Sequence, residues 1–287
     1  MTLSPLVAVA QTASQGGPLI DYGTRFIPEI AAKGMVSGPE KLASEAGLSM
    51  LKQGGNAVDA AVATGFALAV TLPRAGNLAG GGFMLVHLAK TDEQVFIDYR
   101  EMAPASASRD MFLNEDGTVN KQMAYNSPSA AGIPGTVAGM IHALENYGTL
   151  DLKTVIQPAI ELAEQGFKVP AALHLNLRAA TKRLARNEEA NRIYLAGTGT
   201  APAMGSLFKQ PDLAATLQRI RDKGTDGFYK GKTAALIVEE MQRNGGLITR
   251  ADLANYRALE RQPVRSMFRG YELVSAPPPS SGGIHVS

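Results

Sequence analysis

The sequence predicts a mixed α+β fold that forms one body from Gly34 onwards. Two capped helical patterns come first, two β-type runs joined by a short polar stretch follow, and helical patterns dominate the remainder. No internal repeat or low-complexity linker divides the chain, and 45% of its 287 residues are hydrophobic. That composition is sufficient for a large buried core.

The first helix is predicted to end at Gln53, before Gly54 as a left-handed stop. Ser37 and Glu40 have the spacing of a capping box at its start, and residues 35 and 36 precede it as a short strand. Three apolar residues then share one helix face: Leu42, Ala46 and Met50.

A second helix is predicted between Asn56, as its N-cap, and Pro73, which closes it. Its many alanines and its Gly65 make it apolar nearly all round, and small side chains allow a neighbour to approach closely. The sequence therefore predicts a buried helix.

The glycine-rich stretch "AGNLAGGGFMLVHL", residues 75–88, follows this helix and opens a strand. Phosphate-binding glycine loops have the opposite order, because they use the N-terminus of the following helix. We therefore expect a tight helix-to-strand junction, made possible by positive φ angles and close backbone packing. The runs "FMLVHL" and "QVFIDYR" then form an antiparallel hairpin.

Alternation along the second run places Val95, Ile97 and Tyr99 on one face and Phe96, Asp98 and Arg100 on the other. Further helices are predicted from Pro134 to near Gly148 and over residues 154–165, 171–186, 212–223 and 232–244.

The composition favours a small-molecule partner over nucleic acid, since the net charge is only +2 and the charges are scattered. The chain has no cysteine, which excludes thiol catalysis and thiolate metal sites. Its four histidines are isolated and predict no metal site: His87, His142, His174 and His285. We expect no cofactor.

The N-terminal run "LSPLVAVAQ" ends in Ala8-Val9-Ala10, which resembles the end of a signal peptide without its basic start. A frayed apolar start is the alternative. No stretch is predicted to span a membrane, because the best candidate, residues 57–72, carries Asp59 and is shorter than the ~20 residues required.

Arg100 is the strongest candidate for ligand contact. At a strand end, a guanidinium can bind a carboxylate through two parallel hydrogen bonds, which a lysine cannot reproduce. The structural alternative is an ion pair with Asp98 or Glu101. Ser280 and Ser281 in "PPPSSGG" are expected to be turn and helix-cap residues, since no base for a nucleophile is identifiable and no G-x-S-x-G elbow exists.

Five blocks carry a family resemblance: "GMVSGPEKLASEAGLSMLKQGGNAVDAAVATGFALAVTLPRAGNLAGGGFML", "IDYREMAPASASRDMF", "GIPGTVAGM", "NGGLITRADLANY" and "SAPPPSSGGIH". In this order, from Gly34 to His285, they resemble the γ-glutamyltransferase (glutathione hydrolase) family. A series of long blocks is far more specific than one motif.

The resemblance implies an N-terminal-nucleophile hydrolase with an αββα sandwich, here incomplete. In that family a precursor cuts itself into a large and a small subunit. The new N-terminal threonine attacks the γ-glutamyl amide of glutathione or a related compound, and its α-amino group serves as base. Water, an amino acid or a peptide then takes the γ-glutamyl group.

The nucleophilic threonine lies beyond the last block in the family, so we expect no catalytic residue in this chain. The resemblance implies an N-terminal extension and partial signal peptide over residues 1–33, and a truncated large-subunit portion over 34–287. It also implies a periplasmic or secreted location and a small-subunit partner from the same precursor. Arg100 matches the family arginine that binds the α-carboxylate of the donor.

Three interpretations stay open at this point. The chain is either part of a γ-glutamyltransferase or a noncatalytic pairing subunit that needs a separate small subunit. A related enzyme with the same scaffold, a cephalosporin or polyglutamate acylase, is the third possibility.

Overall fold

Residues 29–287 are described by the computed structural model, and they contain helices and strands in mixed order. The helices are α1 (Lys41–Lys52), α2 (Ala57–Thr71), α3 (Lys121–Asn126), α4 (Thr136–Tyr147), α5 (Leu152–Gln165), α6 (Ala171–Leu184), α7 (Glu188–Tyr194), α8 (Pro211–Lys223), α9 (Asp226–Tyr229), α10 (Gly231–Asn244), α11 (Arg250–Asn255) and α12 (Gly282–Val286). The strands are β1 (Phe83–Leu88), β2 (Glu93–Asp98), β3 (Phe167–Lys168), β4 (Leu207–Phe208), β5 (Leu259–Arg261), β6 (Val264–Phe268) and β7 (Tyr271–Ser275). The α+β prediction is confirmed.

The backbone contacts separate Val36–Ser287 as one compact unit from Met1–Met35. The predicted signal-peptide remnant at residues 8–10 lies outside the described residues. Residues 29–35 contain no helix or strand, and the short strand expected at residues 35 and 36 is not formed.

Helix α1 begins three residues later than the predicted capping box requires, because its N-cap is residue 40 and not residue 37. Glu40 itself is the N-cap, and its carboxylate accepts the backbone N–H of Ala43 at 2.9 Å. The capping role expected for Ser37 is therefore wrong, because the glutamate side chain already satisfies the first turn. Gly54, with φ +89°, makes the predicted left-handed stop.

Helix α2 is the buried helix that the sequence predicts. Asn56 and Asp59 form a reciprocal capping box at its start. Asp59 is fully buried and also accepts the backbone N–H groups of Thr149 and Leu150 and the Thr149 hydroxyl, at 2.6 to 3.0 Å. Burial alone would raise the pKa of this carboxyl, but these bonds together lower it below its ordinary value. Asp59 thus joins α2 to the segment that follows α4.

The principal sheet has three antiparallel strands in the order β1-β2-β5. Met84 pairs with Ile97 and Val86 with Val95, and these residues face the core. The opposite face of β2 is also buried, at Phe96 and Asp98, because neighbouring side chains of β1 and β5 cover it. The strand ends at Asp98, so Tyr99 and Arg100 lie just beyond it.

The main core cluster joins this sheet to the helices. Helix α2 packs against α1, α4 and α5, while α5 packs against α8 and α4 contacts β2. Helix α5 starts earlier than predicted because Asp151 caps it, accepting the Thr154 N–H at 2.8 Å. The predictions for α4, α6, α8 and α10 match within two residues.

Sequence patterns did not predict the short elements α3, α7, α9, α11 and β3 to β7. Each spans fewer than eight residues, too few for a clear period. Helix α12 begins where Ser280 and Ser281 were expected to act as turn and helix-cap residues. None of the described helices is long and apolar enough to cross a membrane.

Candidate functional site

Arg100 lies two residues beyond the end of β2, and its backbone is held from two sides. Its N–H donates to Asp98 Oδ1 at 3.0 Å, and its carbonyl accepts the hydroxyl of Tyr256 at 2.8 Å. The base of the Arg100 side chain is therefore fixed by residues that are far apart in sequence.

Asp98 is buried, with 6% of its surface exposed. Its second oxygen, Oδ2, accepts Arg261 Nε of β5 at 2.6 Å. The sequence left open a pair between Asp98 and the Arg100 side chain. That interpretation is wrong, because the carboxylate is shared by the Arg261 guanidinium and the Arg100 backbone.

Tyr256 follows directly after α11, and its ring stacks on Tyr229 with the ring centres 5.8 Å apart and the planes 5° apart. Burial, with smaller contributions from Asp98 and Glu101, raises the pKa of the Tyr256 hydroxyl well above its ordinary value. The hydroxyl is therefore protonated near neutral pH and can donate its hydrogen bond.

Helix α11 also holds the backbone five residues after Arg100, at Ala105. Thr249 and Asp252 form a capping box at its start, and Asp252 Oδ1 accepts the N–H of Ala105 at 3.0 Å. Burial would raise the pKa of Asp252, but the bonds from Ala105 and Thr249 lower it. Between these points, the backbones of Met102 and Ile133 bond each other in both directions.

The Arg100 guanidinium, unlike the Arg100 backbone, is exposed to solvent. Its side chain is 56% exposed, Nε lies 3.2 Å from Glu101 Oε2, and Cζ lies 6.0 Å from the centre of the Phe83 ring. The expected alternative of a pair with Glu101 is thus present as a surface contact, which contributes little to stability. Within the described residues, the two terminal nitrogens make no hydrogen bond, so the fork remains available to a carboxylate.

The glycine loop packs tightly against this segment, as the junction prediction requires. Gly80 accepts the N–H groups of Gly135 and Thr136, while Gly82 and Tyr99 bond each other in both directions. A Cβ at Gly81 would lie 2.6 Å from the carbonyl oxygen of Tyr99. Close approach explains these glycines; the positive φ angles that were also expected are absent from the described loop.

The histidines and the two serines that the sequence analysis considered lie away from Arg100 in sequence, and most of them make hydrogen bonds within the fold. His87, His174 and His285 each bond a neighbouring amide or carbonyl group, and His142 Nε2 lies 2.8 Å from Glu260 Oε1. Ser280 accepts the N–H of Gly282 at the start of α12, whereas Ser281 occupies the N-cap without a side-chain bond. In residues 29–287, no group of three His, Cys, Asp or Glu side chains is arranged for a metal ion.

Sequence reasoning singled out Arg100 as a candidate but not the residues that hold its backbone, since Tyr256 and Arg261 lie on distant elements. The signal for Tyr256 was its place at the end of the block "NGGLITRADLANY". The Arg100 guanidinium is thus exposed while its backbone is held by hydrogen bonds. Such a group is suited to bind a carboxylate of a small ligand.

Comparison with known proteins gives a consistent result. Residues 43–287 match the family model described as Gamma-glutamyltranspeptidase. The chain is 47% identical to the glutathione hydrolase proenzyme of Escherichia coli K12, over 96% of this chain and 48% of that protein. It is 40% identical to the acylase ACY 1 proenzyme of Pseudomonas sp. SE83, over 93% and 49%.

A solved structure gives the same result. The crystal structure of Helicobacter pylori gamma-glutamyltranspeptidase superimposes with a TM-score of 0.88 at 44% identity, over 91% of this chain and 74% of that chain. The chain spans about half the length of the curated relatives it matches.

Proposed function

Because the chain belongs to the gamma-glutamyltranspeptidase family, we propose that it forms the donor-binding part of an enzyme that cleaves γ-glutamyl amide bonds. The donor is glutathione or another γ-glutamyl compound, and the γ-glutamyl group passes to water, an amino acid or a peptide. The observation that carries this proposal is the exposed Arg100 guanidinium on a fixed backbone.

Arg100 binds the α-carboxylate of the γ-glutamyl donor. Its two terminal nitrogens match the two carboxylate oxygens, and a charge-assisted forked pair fixes both distance and orientation. A donor held at this end presents its γ-amide at a constant position, which favours attack by a nucleophile.

The nucleophile belongs to a segment outside residues 1–287, a threonine freed when one precursor is cut into two subunits. That second subunit is the partner of this chain. Exposed apolar side chains on the β6–β7 hairpin support a subunit contact there: Met267, Phe268 and Tyr271, which are 57 to 75% exposed. Patches of this kind are typical of interaction surfaces.

The test uses protein made from the gene with all coding sequence that follows codon 287, assayed with γ-glutamyl-p-nitroanilide. Arg100→Lys should raise KM roughly tenfold, because a point charge replaces the fork. Arg109→Lys is the matched control: Arg109 is also an exposed arginine, paired with the adjacent Asp110, and its loss should leave KM unchanged. An unchanged KM in Arg100→Lys would remove Arg100 from the donor site.

The acylase alternative rests on the 40% identity to an acylase proenzyme. Glutaryl-p-nitroanilide separates the two functions, because the glutaryl group has the carboxylate of a γ-glutamyl group but lacks its α-amino group. A γ-glutamyltransferase should strongly prefer the γ-glutamyl donor, whereas a preference for the glutaryl donor would favour an acylase. A protein that forms a stable subunit pair but cleaves neither donor would favour the noncatalytic pairing subunit.

We also propose export from the cytoplasm, supported by Ala8-Val9-Ala10 at the end of a short apolar run. N-terminal sequencing of protein recovered from the cell envelope or the medium should give a start after this run. Recovery only from the cytoplasm, with Met1 intact, would contradict export.

A further inference from the structure

We propose that Tyr256 and Asp98 are positioning residues for Arg100, which hold its peptide unit from opposite sides so that its guanidinium meets the donor carboxylate. This inference rests on the function proposed above and extends it to residues that do not touch the donor. It also gives a role to the block "NGGLITRADLANY", which ends at Tyr256.

The first contact lies at the sheet. Asp98 is the last residue of β2 and uses one oxygen for the Arg100 N–H and the other for Arg261 Nε. Because both oxygens are bonded, the carboxylate has a fixed orientation. Asp98 thereby connects Arg261 of strand β5 to the backbone amide of Arg100.

The second contact comes from the segment after α11. The hydroxyl of Tyr256 reaches the Arg100 carbonyl, and the stack on Tyr229 fixes the ring that carries it. Tyr229 is itself anchored, since its hydroxyl donates to the Pro134 carbonyl at 2.9 Å and accepts the Ala138 N–H at 3.2 Å. The Tyr256 bond therefore connects Arg100 to the buried start of α4.

Fixing the peptide matters because the arginine side chain is long and more than half exposed. Its own contacts, with Glu101 and the Phe83 ring, leave the terminal nitrogens free within the described residues. A pair of parallel hydrogen bonds tolerates little error in distance or angle. A displacement of the Arg100 backbone would therefore weaken donor binding. The bonds from Asp98 and Tyr256 hold the Arg100 backbone, and therefore its Cα, in a fixed position.

The test is Tyr256→Phe, which removes the hydroxyl and keeps the stacked ring. The enzyme is made from the gene with all coding sequence after codon 287. The donors are γ-glutamyl-p-nitroanilide and 4-aminobutyryl-p-nitroanilide, which lacks the α-carboxylate. We expect the kcat/KM preference for the γ-glutamyl donor to fall about fivefold, the effect of one lost hydrogen bond. The inhibition constant of L-glutamate should rise by the same factor.

The matched control is Tyr229→Phe. It also removes a buried hydroxyl from the same stacked pair, but that hydroxyl does not touch Arg100. It should lower the melting temperature and change the donor preference clearly less than Tyr256→Phe does, because the stack on Tyr256 and the Tyr256 bond to Arg100 are kept. An equal loss of preference in the two variants would indicate general loosening of the core and would overturn the proposal.

Arg261→Gln provides a second, independent variant. Arg261 is 40% exposed and lies on an edge strand, and its partner Asp98 is buried, so the melting temperature is measured together with the preference. It removes one anchor of Asp98, and we expect the preference to fall about threefold, less than for Tyr256→Phe. An unchanged preference in both variants would overturn the positioning role.

Arg100→Lys separates this inference from the proposed function. If Arg100→Lys abolishes the preference while Tyr256→Phe and Arg261→Gln leave it intact, the positioning role is wrong and the donor site stands. If Arg100→Lys itself leaves the preference intact, Arg100 does not bind the α-carboxylate, and the positioning proposal falls with the donor site.

Discussion

Gly139 of α4 lies directly against the ring of Tyr99. A Cβ at Gly139 would be 2.1 Å from Tyr99 Cγ and 2.3 Å from Cδ1. Tyr99 is the residue before Arg100, and its hydroxyl donates to the Phe83 carbonyl at 3.2 Å. The absence of one side chain on a core helix therefore sets where the Arg100 segment lies.

The first prediction follows from this contact. Gly139→Ala should force Tyr99 outwards and lower the free energy of unfolding by about 1 to 3 kcal/mol, the usual cost of overpacking. KM for a γ-glutamyl donor should rise as Arg100 moves with its neighbour. Urea unfolding and donor kinetics measure the two effects.

Gly65→Ala is the matched control for Gly139→Ala. A Cβ at Gly65 would meet the sulfur of Met140 at 2.6 Å, and a flexible methionine can move aside at small cost. It should change neither stability nor KM to the same extent. Equal effects in the two variants would contradict a specific role for the Gly139 contact.

The second prediction concerns Asp59. Asp59→Asn places an amide NH₂ among N–H and O–H donors, so it should lower the free energy of unfolding by about 3 kcal/mol near neutral pH. Thermal or urea unfolding measures the loss. Asp151→Asn is the control, because asparagine also serves well as an N-cap and stability should change little.

The same substitution has a predictable pH dependence. The folded pKa of Asp59 lies below its ordinary value of 3.8, so its contribution is complete above that value and is lost as the pH falls through the folded pKa. The stability difference between the native protein and Asp59→Asn should therefore be constant near neutral pH and shrink in acid. A difference that grows in acid would contradict the assigned hydrogen bonds.

The third prediction concerns a cluster that ties α4 to β5. Glu260 Oε1 accepts the Tyr147 hydroxyl at 2.6 Å and lies 2.8 Å from His142 Nε2. Burial and the bond to Glu260 raise the pKa of Tyr147 to about 12, while the bonds from Tyr147 and His142 lower the pKa of Glu260. The stabilising effect of Tyr147 is thus present below its ordinary pKa of 10 and is lost as the pH rises through about 12.

Glu260→Gln should move the pKa of Tyr147 back towards its ordinary value, since it removes the negative charge. Ultraviolet absorbance between pH 10 and about 12 measures the ionisation. Glu115→Gln, which removes an exposed carboxylate without altering a tyrosine, should leave this titration unchanged. Identical titration curves for Glu260→Gln and the native protein would show that the carboxylate does not hold the hydroxyl.

The fourth prediction concerns residues 1–287 expressed alone. They should release no p-nitroaniline from γ-glutamyl-p-nitroanilide, because the proposed nucleophile lies on another segment. The protein from the complete coding sequence, assayed at equal concentration, is the positive control. Clear turnover by the pure 287-residue chain would contradict the assignment of the nucleophile.

Short sequence patterns correctly predicted the features that depend on neighbouring residues, such as helix caps, helix ends and the hairpin. Asn56 caps α2, Gly54 ends α1, and the hairpin pairs as its two β-type runs indicate. The prediction for Ser37 failed because the helix starts three residues later, where the Glu40 side chain accepts the Ala43 N–H. Alternation also failed to predict burial on both faces of β2, since covering residues such as Arg261 come from elsewhere in the chain.

The site shows the same limit. The residue type and its strand-end position pointed to Arg100, but the atoms that hold its backbone are not encoded nearby. Tyr256 lies 156 positions away, and Asp98 bonds Arg261 across 163 positions. No period or spacing within a short window reports contacts of this range.

The distance between these partners has a consequence for synthesis on the ribosome. A nascent chain that has emerged only through Asn255 has Arg100 and the β1–β2 hairpin, yet lacks both Tyr256 and Arg261. Loop closure of this length is slow compared with local folding. The backbone of Arg100 consequently reaches its final geometry only late in synthesis, and ribosome-bound intermediates should leave its segment open to proteases.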